Sequence, residues 1–235
     1  MPRTEARLVL TCEHGGNRVP RAWSALFRGK ARLLASDRGW DPGALAMARR
    51  LARALDAPLI SATTTRLLVD LNRSPQNPAV FSELTRALPP PQRALLLERH
   101  HRPHWERVRA GVAAGKSRVV HLGVHSFTPV WSGTRRHFEI GILYDPKRRG
   151  ERALAREWKR QIEGACPQLR VRRNAPYRGS SDGLTTALRK ELSPRRYLGL
   201  ELELNQQAIA GAGPQRALAG VLAASLQRAL GQTSH

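Results

Sequence analysis

Short runs rich in leucine and β-branched residues alternate along this chain with longer segments of helical periodicity, and no other feature of the sequence constrains its fold as much. Parallel strands need a long crossover between them, and a helix is the crossover that buries its apolar stripe against the sheet. The alternation predicts an α/β fold, a mostly parallel mixed sheet with helices on both faces. Strands are expected over residues 7–11, 59–63, 67–71, 119–124, 138–144 and 197–204. Helices are expected over 45–55, from about 91 to 114 with Pro103 as a kink or break, 151–163, 182–192 with Asp182 near its start, and 215–230. Residues 76–91 and 174–181, rich in Pro, Gly, Ser and Asn, read as loops. No internal repeat or low-complexity linker divides the chain, so a single domain over residues 1–235 is expected.

Lys and Arg number 40 against 18 Asp and Glu, a formal charge of +22, which favours association with polyanions. The basic residues are scattered, as at Arg49, Arg53, Arg107, Arg156 and Arg216, and no nucleic-acid reader motif accompanies them. A solvated, Arg-rich surface is expected, with no sequence-specific nucleic-acid partner. Charge interrupts every long apolar stretch and the first residues carry no apolar signal region, so no membrane partner and a cytoplasmic location are expected. Cys12 and Cys166 stand far apart in no metal-ligand spacing, which argues against a disulfide framework or a thiolate zinc site. Cys12, beside Glu13 and His14, reads as a small residue ending a buried strand, with nucleophilic chemistry as the alternative.

Polar clusters follow four of the expected strands: Cys12-Glu13-His14-Gly15-Gly16-Asn17, Asp70-Leu71-Asn72-Arg73-Ser74, His125-Ser126-Phe127, and Glu201 with Glu203 before Asn205. In open α/β sheets the ligand crevice lies at the carboxyl ends of the strands, so these clusters are expected to converge. His14 and His125, arriving from separate strands with a carboxylate nearby, suit a zinc site with a position open for water. Glu201 and Glu203 lie two apart on one strand and so share a face, where a carboxylate needs a metal or an arginine partner. Glu203, nearer the carboxyl end, is the stronger functional candidate. Asn72 and Arg73 suit a substrate carboxylate, the guanidinium offering a two-pronged donor, although Arg73 paired with Asp70 is an equal alternative.

Taken together, Cys12 to Pro20, Trp40-Asp41-Pro42-Gly43-Ala44, Val69 to Ser74, His125 to Pro129, Gly141 to Asp145, Asn174-Ala175-Pro176-Tyr177 with Asp182-Gly183, and Leu202 to Gln206 resemble the N-formylglutamate amidohydrolase family. That family is similar to the zinc carboxypeptidases and the aspartoacylase group, which implies a phosphorylase/hydrolase-like fold and zinc-dependent amide hydrolysis. The resemblance implies His14 and His125 as metal ligands, Glu203 as the group handling the proton of water, and Asn72 and Arg73 as the holders of a substrate carboxylate. The carboxypeptidase-like motif has a glutamate three residues after its first histidine, where this chain has Asn17. Asp41 is the first choice for the missing carboxylate ligand and Glu13 the second, with Arg178 a further substrate-binding candidate. The implied reaction converts N-formyl-L-glutamate to glutamate and formate. Hydrolysis of another acylated amine or a peptide, and binding of nucleic acid or another anion by a protein with a degenerate active site, are the alternatives.

Any nucleic-acid binding should be non-specific. In a mobility-shift assay the complex should be lost between low and moderately high salt, as counterion release demands, and a sequence-selective complex that survives would overturn this expectation.

Overall fold

The structure, a computed structural model, describes residues 6–233. In chain order its elements are β1 (Arg7–Cys12), a 3-10 helix (Arg21–Phe27), α1 (Ala31–Ala35), α2 (Ala44–Ala54), β2 (Leu59–Ser61), a short 3-10 turn (Pro78–Val80) and α3 (Pro90–Leu96). A π-helical turn (Leu97–His101) then leads to α4 (Arg102–Ala113), β3 (Val119–Phe127), β4 (Val130–Trp131), β5 (Thr134–Arg135), β6 (Ile140–Leu143) and α5 (Arg149–Ala165). The chain ends with β7 (Val171–Arg173), α6 (Leu184–Glu191), β8 (Tyr197–Asn205) and α7 (Ala212–Thr233). Six strands form one sheet in the order β2-β1-β3-β8-β6-β7, and β4 and β5 form a separate hairpin. All neighbours in the large sheet are parallel except β6 and β8. This is the mostly parallel α/β arrangement that the alternation predicts. No helix among the described residues is long and apolar enough to cross a membrane.

The period of two along each strand sorts the sheet into unlike faces. Leu10 and Cys12, Val120, Leu122 and Val124, Ile140 and Ile142, and Leu200, Leu202 and Leu204 form one face, packed against α2, α5 and α7 in the main core. The other face begins apolar, where Val9, Val119 and Tyr197 meet Trp105, Val108 and Val112 of α4 and Leu184 and Leu188 of α6. It turns polar along the strands, through Thr11 and His121, to His125 and Glu203, which lie opposite each other in the β3–β8 register. The apolar face stabilises the sheet, and the second face delivers polar groups to the carboxyl edge of the parallel strands.

The expected strand at 67–71 is instead a turn: Leu68 N donates to Thr65 O at 3.0 Å, and Asp70 N donates to Val80 O at 2.8 Å. Leu67, Leu68, Val69 and Leu71 are buried, but in a satellite cluster with Phe27, Val80, Phe81 and Leu96. A short apolar run records burial without specifying a sheet partner, which is why it imitates a strand. The long helix bends before Pro103 by widening into the π turn, where Arg102 N reaches back to Leu97 O. A proline ring collides with the carbonyl four residues earlier, and the wider turn relieves that collision. Asp182 does not cap a helix, since α6 starts after Gly183 with no side-chain cap. β3 continues beyond the expected 119–124, so His125 belongs to the strand.

A buried ion pair joins α5, on the main-core face of the sheet, to α6, on the other. Arg189 donates through Nε to both Glu151 oxygens at 3.0 and 3.1 Å, and through its other nitrogens to Gly179 O and Gly199 O. Glu151 also accepts from Gly199 N at 3.0 Å and Asp145 N at 2.9 Å. Arg189→Ala leaves this carboxylate without its cation in the interior and should lower unfolding stability by about 3–5 kcal/mol. A urea midpoint equal to that of the unsubstituted protein would show that the pair contributes nothing.

Candidate metal centre and active site

His14 follows β1 in a tight turn where Gly15 N donates to Ala62 O at 3.1 Å. A Cβ on Gly15 would stand 2.8 Å from that oxygen, so the turn presenting His14 requires glycine. Asp41 N donates to His14 O at 2.9 Å, which fastens the Asp41 loop to the same turn. β3 delivers His125. The structure thus brings His14, Asp41 and His125 together, all buried, with potential ligand atoms within 4.8 Å of one another. Both imidazoles turn Nδ1 toward Asp41 Oδ2, at 3.4 Å from His14 and 3.0 Å from His125.

The far nitrogen of each ring has its own carboxylate. His14 donates through Nε2 to Asp70 Oδ1 at 2.7 Å, and His125 Nε2 lies 3.4 Å from Glu13 Oε2. A carboxylate can only accept, so His14 carries a proton on Nε2, which leaves Nδ1, on the Asp41 side, as the nitrogen a cation could engage. That Nδ1 is buried and has no hydrogen-bond partner. Two imidazoles and a carboxylate, with one buried imidazole nitrogen left unpartnered, form a donor set that fits a divalent cation. Arg66 bonds to Asp41 at 3.2 Å and to Asp70 at 3.0 Å, bracing both acids. Burial opposes ionisation of Asp41, yet His14, His125 and Arg66 hold its carboxyl below the usual range. Asp70 is held down in the same way, chiefly by Arg66 and His14 against the cost of burial.

Glu201 and Glu203 share a face but not an environment. Thr185 Oγ1 donates to Glu201 at 2.6 Å, whereas Glu203 Oε2 is buried without a partner. Burial, with the negative charges of Asp41 and Glu201, pushes the Glu203 carboxyl up to about 8 against the pull of His125 and Arg66. Gly141 lies opposite Glu203 in the β6–β8 register, where a Cβ would come 2.0 Å from Ala175 O. A cavity of about 370 Å³ opens above these groups and is lined by His14, Asp41, His125, Glu201 and Glu203.

Asn72, Arg73 and Arg178 also line this cavity. Asn72 Oδ1 accepts from Leu184 N at 2.9 Å, which turns its amide nitrogen toward His125 Nε2 at 3.4 Å. Arg73 donates to Asp182 O, not to Asp70, while the Asp182 carboxylate accepts from Ser74 N at 3.0 Å and Asn77 Nδ2 at 2.7 Å. The loop bearing Asp70, Asn72 and Arg73 is clamped from the bent helix: Trp105 Nε1 donates to Leu71 O, and His101 Nε2 to Arg73 O, both at 2.8 Å. Asn17 is exposed, bonds to Leu34 O and takes no part in the cluster. Cys12 lies in the core, and burial with the charges of Glu13 and Asp41 pushes its thiol well up, away from the thiolate a nucleophile requires. Sequence reasoning offered Glu13 only as a second-choice metal ligand, missed Asp70 as the partner of His14, and missed Arg66 altogether. Their only signal was position within or just before the polar blocks.

A sequence-family profile described as N-formylglutamate amidohydrolase matches residues 6–210. The crystal structure of gene product Atu2144 from Agrobacterium tumefaciens is similar at 34% identity and a TM-score of 0.84, over 99% of this chain and 93% of that one. An N-acetylmuramoyl-L-alanine amidase from Clostridium difficile 630 is similar at 15% identity and a TM-score of 0.46, over 95% of this chain and 96% of that one. The amidase AmiC2 of Nostoc punctiforme is similar at 14% identity and a TM-score of 0.41, over 94% and 96%. No curated protein matches the chain.

Asp70→Asn keeps the shape of the group behind His14 but removes its charge. Divalent-cation affinity, measured by competition with a chelator, should fall about 10- to 100-fold, the usual scale for such partners of a ligand histidine. Unchanged affinity in a folded variant would detach Asp70 from the centre.

Proposed function

We propose a reaction on the premise that the chain belongs to the N-formylglutamate amidohydrolase family: zinc-dependent hydrolysis of the amide of an N-acyl amino acid, with N-formyl-L-glutamate yielding glutamate and formate. The observation that carries this proposal is a pair of buried atoms without hydrogen-bond partners, His14 Nδ1 and Glu203 Oε2, on residues lining one cavity. The first calls for a cation and the second for a proton or a water molecule. His14, Asp41 and His125 would hold the metal. Zinc bound there supplies Lewis acidity for the amide carbonyl and for water, and its borderline softness suits two imidazoles and a carboxylate.

Glu203 acts as the general base and then the general acid, taking a proton from water and passing it to the leaving amine. Burial pushes this carboxyl up to about 8, so without a nearby cation it holds its proton at neutral pH; a divalent cation beside it would draw the value down toward neutrality and free it to act as the base. Glu201, already bonded to Thr185, is the lesser candidate. Arg73, with Asn72 beside it, orients a substrate carboxylate, and Arg178, exposed on the cavity wall, supplies a second cation.

Elemental analysis should find about one zinc per chain, lost in His14→Ala and His125→Ala. Glu203→Gln should keep fold and metal but lower kcat on N-formyl-L-glutamate by on the order of a hundredfold or more, with Glu201→Gln far milder. Equal turnover by Glu203→Gln and the unsubstituted enzyme would remove Glu203 from the reaction. Full metal content in both histidine variants would refute the site.

A further inference from the structure

Among the described residues, Leu95, Val130, Trp131 and Tyr177 are the large apolar side chains left exposed, and Trp131 and Tyr177 both line the active-site cavity. Trp131 is 55% exposed and Tyr177 46% exposed. They reach the cavity from separate segments, Trp131 from the β4–β5 hairpin and Tyr177 from the loop after β7. Arg136 joins them. Its guanidinium stands 5.4 Å from the Trp131 ring centre, 5.6 Å from that of Tyr177 and 5.5 Å from that of Phe127, which also lines the cavity. Arg136 also donates to Thr128 O at 3.2 Å, and its backbone N–H closes the hairpin on Pro129 O at 2.8 Å. Arg135 ties the same hairpin to Gln207, beyond the end of β8, at 3.2 Å.

These contacts fix the rings before any ligand arrives. Aromatic rings held by a cation yet left open toward a cavity offer stacking area at little cost in ordering. A formyl group and the short side chain of glutamate would leave most of that area uncovered. We infer that Trp131 and Tyr177 form an apolar subsite, and that substrates carrying an aromatic group next to the scissile amide are preferred over N-formyl-L-glutamate. The inference rests on the amidohydrolase proposal for the reaction itself. The aromatic group can belong to the amino acid or to the acyl part, and one ligand of each kind separates these sources: N-formyl-L-phenylalanine and N-benzoyl-L-glutamate.

Binding of both, and of N-formyl-L-glutamate, is measured by titration calorimetry, alongside kcat/KM for the zinc-loaded enzyme. At least one aromatic ligand should exceed N-formyl-L-glutamate by about tenfold or more, the scale expected for covering one ring. In Trp131→Ala and Tyr177→Ala that ratio should fall toward one, whereas Leu95→Ala, an exposed site on α3, should leave it unchanged. Both rim side chains are about half exposed, so their truncation spares the core. Aromatic ligands that bind no better than N-formyl-L-glutamate, or a preference that survives both truncations, would overturn the subsite. Tight aromatic binding with no hydrolysis of any amide would uphold the subsite and overturn the reaction. Hydrolysis of N-formyl-L-glutamate without aromatic preference would do the reverse.

Discussion

Four carboxylates, Glu13, Asp41, Asp70 and Glu203, are buried around three imidazoles, those of His14, His104 and His125, and Arg66 is the one permanent cation bonded to any of the four among the described residues. That imbalance governs the rest of the site. Buried charge is tolerated when it is paired, and a single guanidinium shared between Asp41 and Asp70 does not pair four acids. The protein answers in two ways. Histidines take up part of the charge, with burial disfavouring the His125 imidazolium but Asp41 and Glu13 raising its affinity for a proton well above the usual value. Glu203, which lacks a partner, instead retains its own proton to an unusually high pH. A divalent cation between His14, Asp41 and His125 answers the same imbalance more directly, because it replaces protons the acids and imidazoles would otherwise compete for.

The sheet makes this concentration of charge affordable by confining it to one face. On the other face Leu10, Leu122, Val124, Leu200, Leu202 and Leu204 pack with α2, α5 and α7 and carry the hydrophobic stabilisation. Gly123 sits between the two polar rows, where a Cβ would already touch Glu201 Cγ at 3.4 Å and His125 Nε2 at 3.5 Å. The strand alternation that builds the core therefore also aims the acids and histidines at one cavity.

Much of this was legible before any coordinates, because period and local chemistry write themselves into neighbouring residues. The strands at β1, β3 and β8 declare themselves by apolar runs, and the shared face of Glu201 and Glu203 follows from their spacing alone. The polar blocks marked the carboxyl edge for the same reason. What stayed hidden depends on contacts between residues distant in sequence. The run at 67–71 is apolar enough for a strand, but its partners are Phe27, Phe81 and Leu96, and nothing local distinguishes that burial from a place in the sheet. Asp70 beside Arg73 suggested an ion pair, yet the fold sends Asp70 to His14, 56 positions away, and Arg73 to Asp182, 109 positions away. The Trp131 and Tyr177 rim was equally unreadable, since the residue uniting it, Arg136, is one arginine among many.

The bent helix explains how such distant groups hold their positions on a loop with no strand of its own. Residues 70–73 have no regular hydrogen-bond ladder, and beyond the isolated backbone bonds from Asp70 N to Val80 O and Arg73 N to Asp70 O, side chains fix their backbone. Trp105 and His101 are four apart on the same helix and stack at 4.7 Å, and their ring nitrogens reach carbonyls two residues apart in the loop. The π-helical turn ends at His101, so one donor closes it and the other stands one turn further along, on α4. Proline at 103 thus does more than interrupt a helix. By favouring a widened turn there, it places two rigid donors against the loop that orients His14 through Asp70 and presents Arg73 to the cavity. The candidate metal centre and Arg73, proposed as the holder of a substrate carboxylate, then share one support, so a disturbance at either donor is expected to reach both.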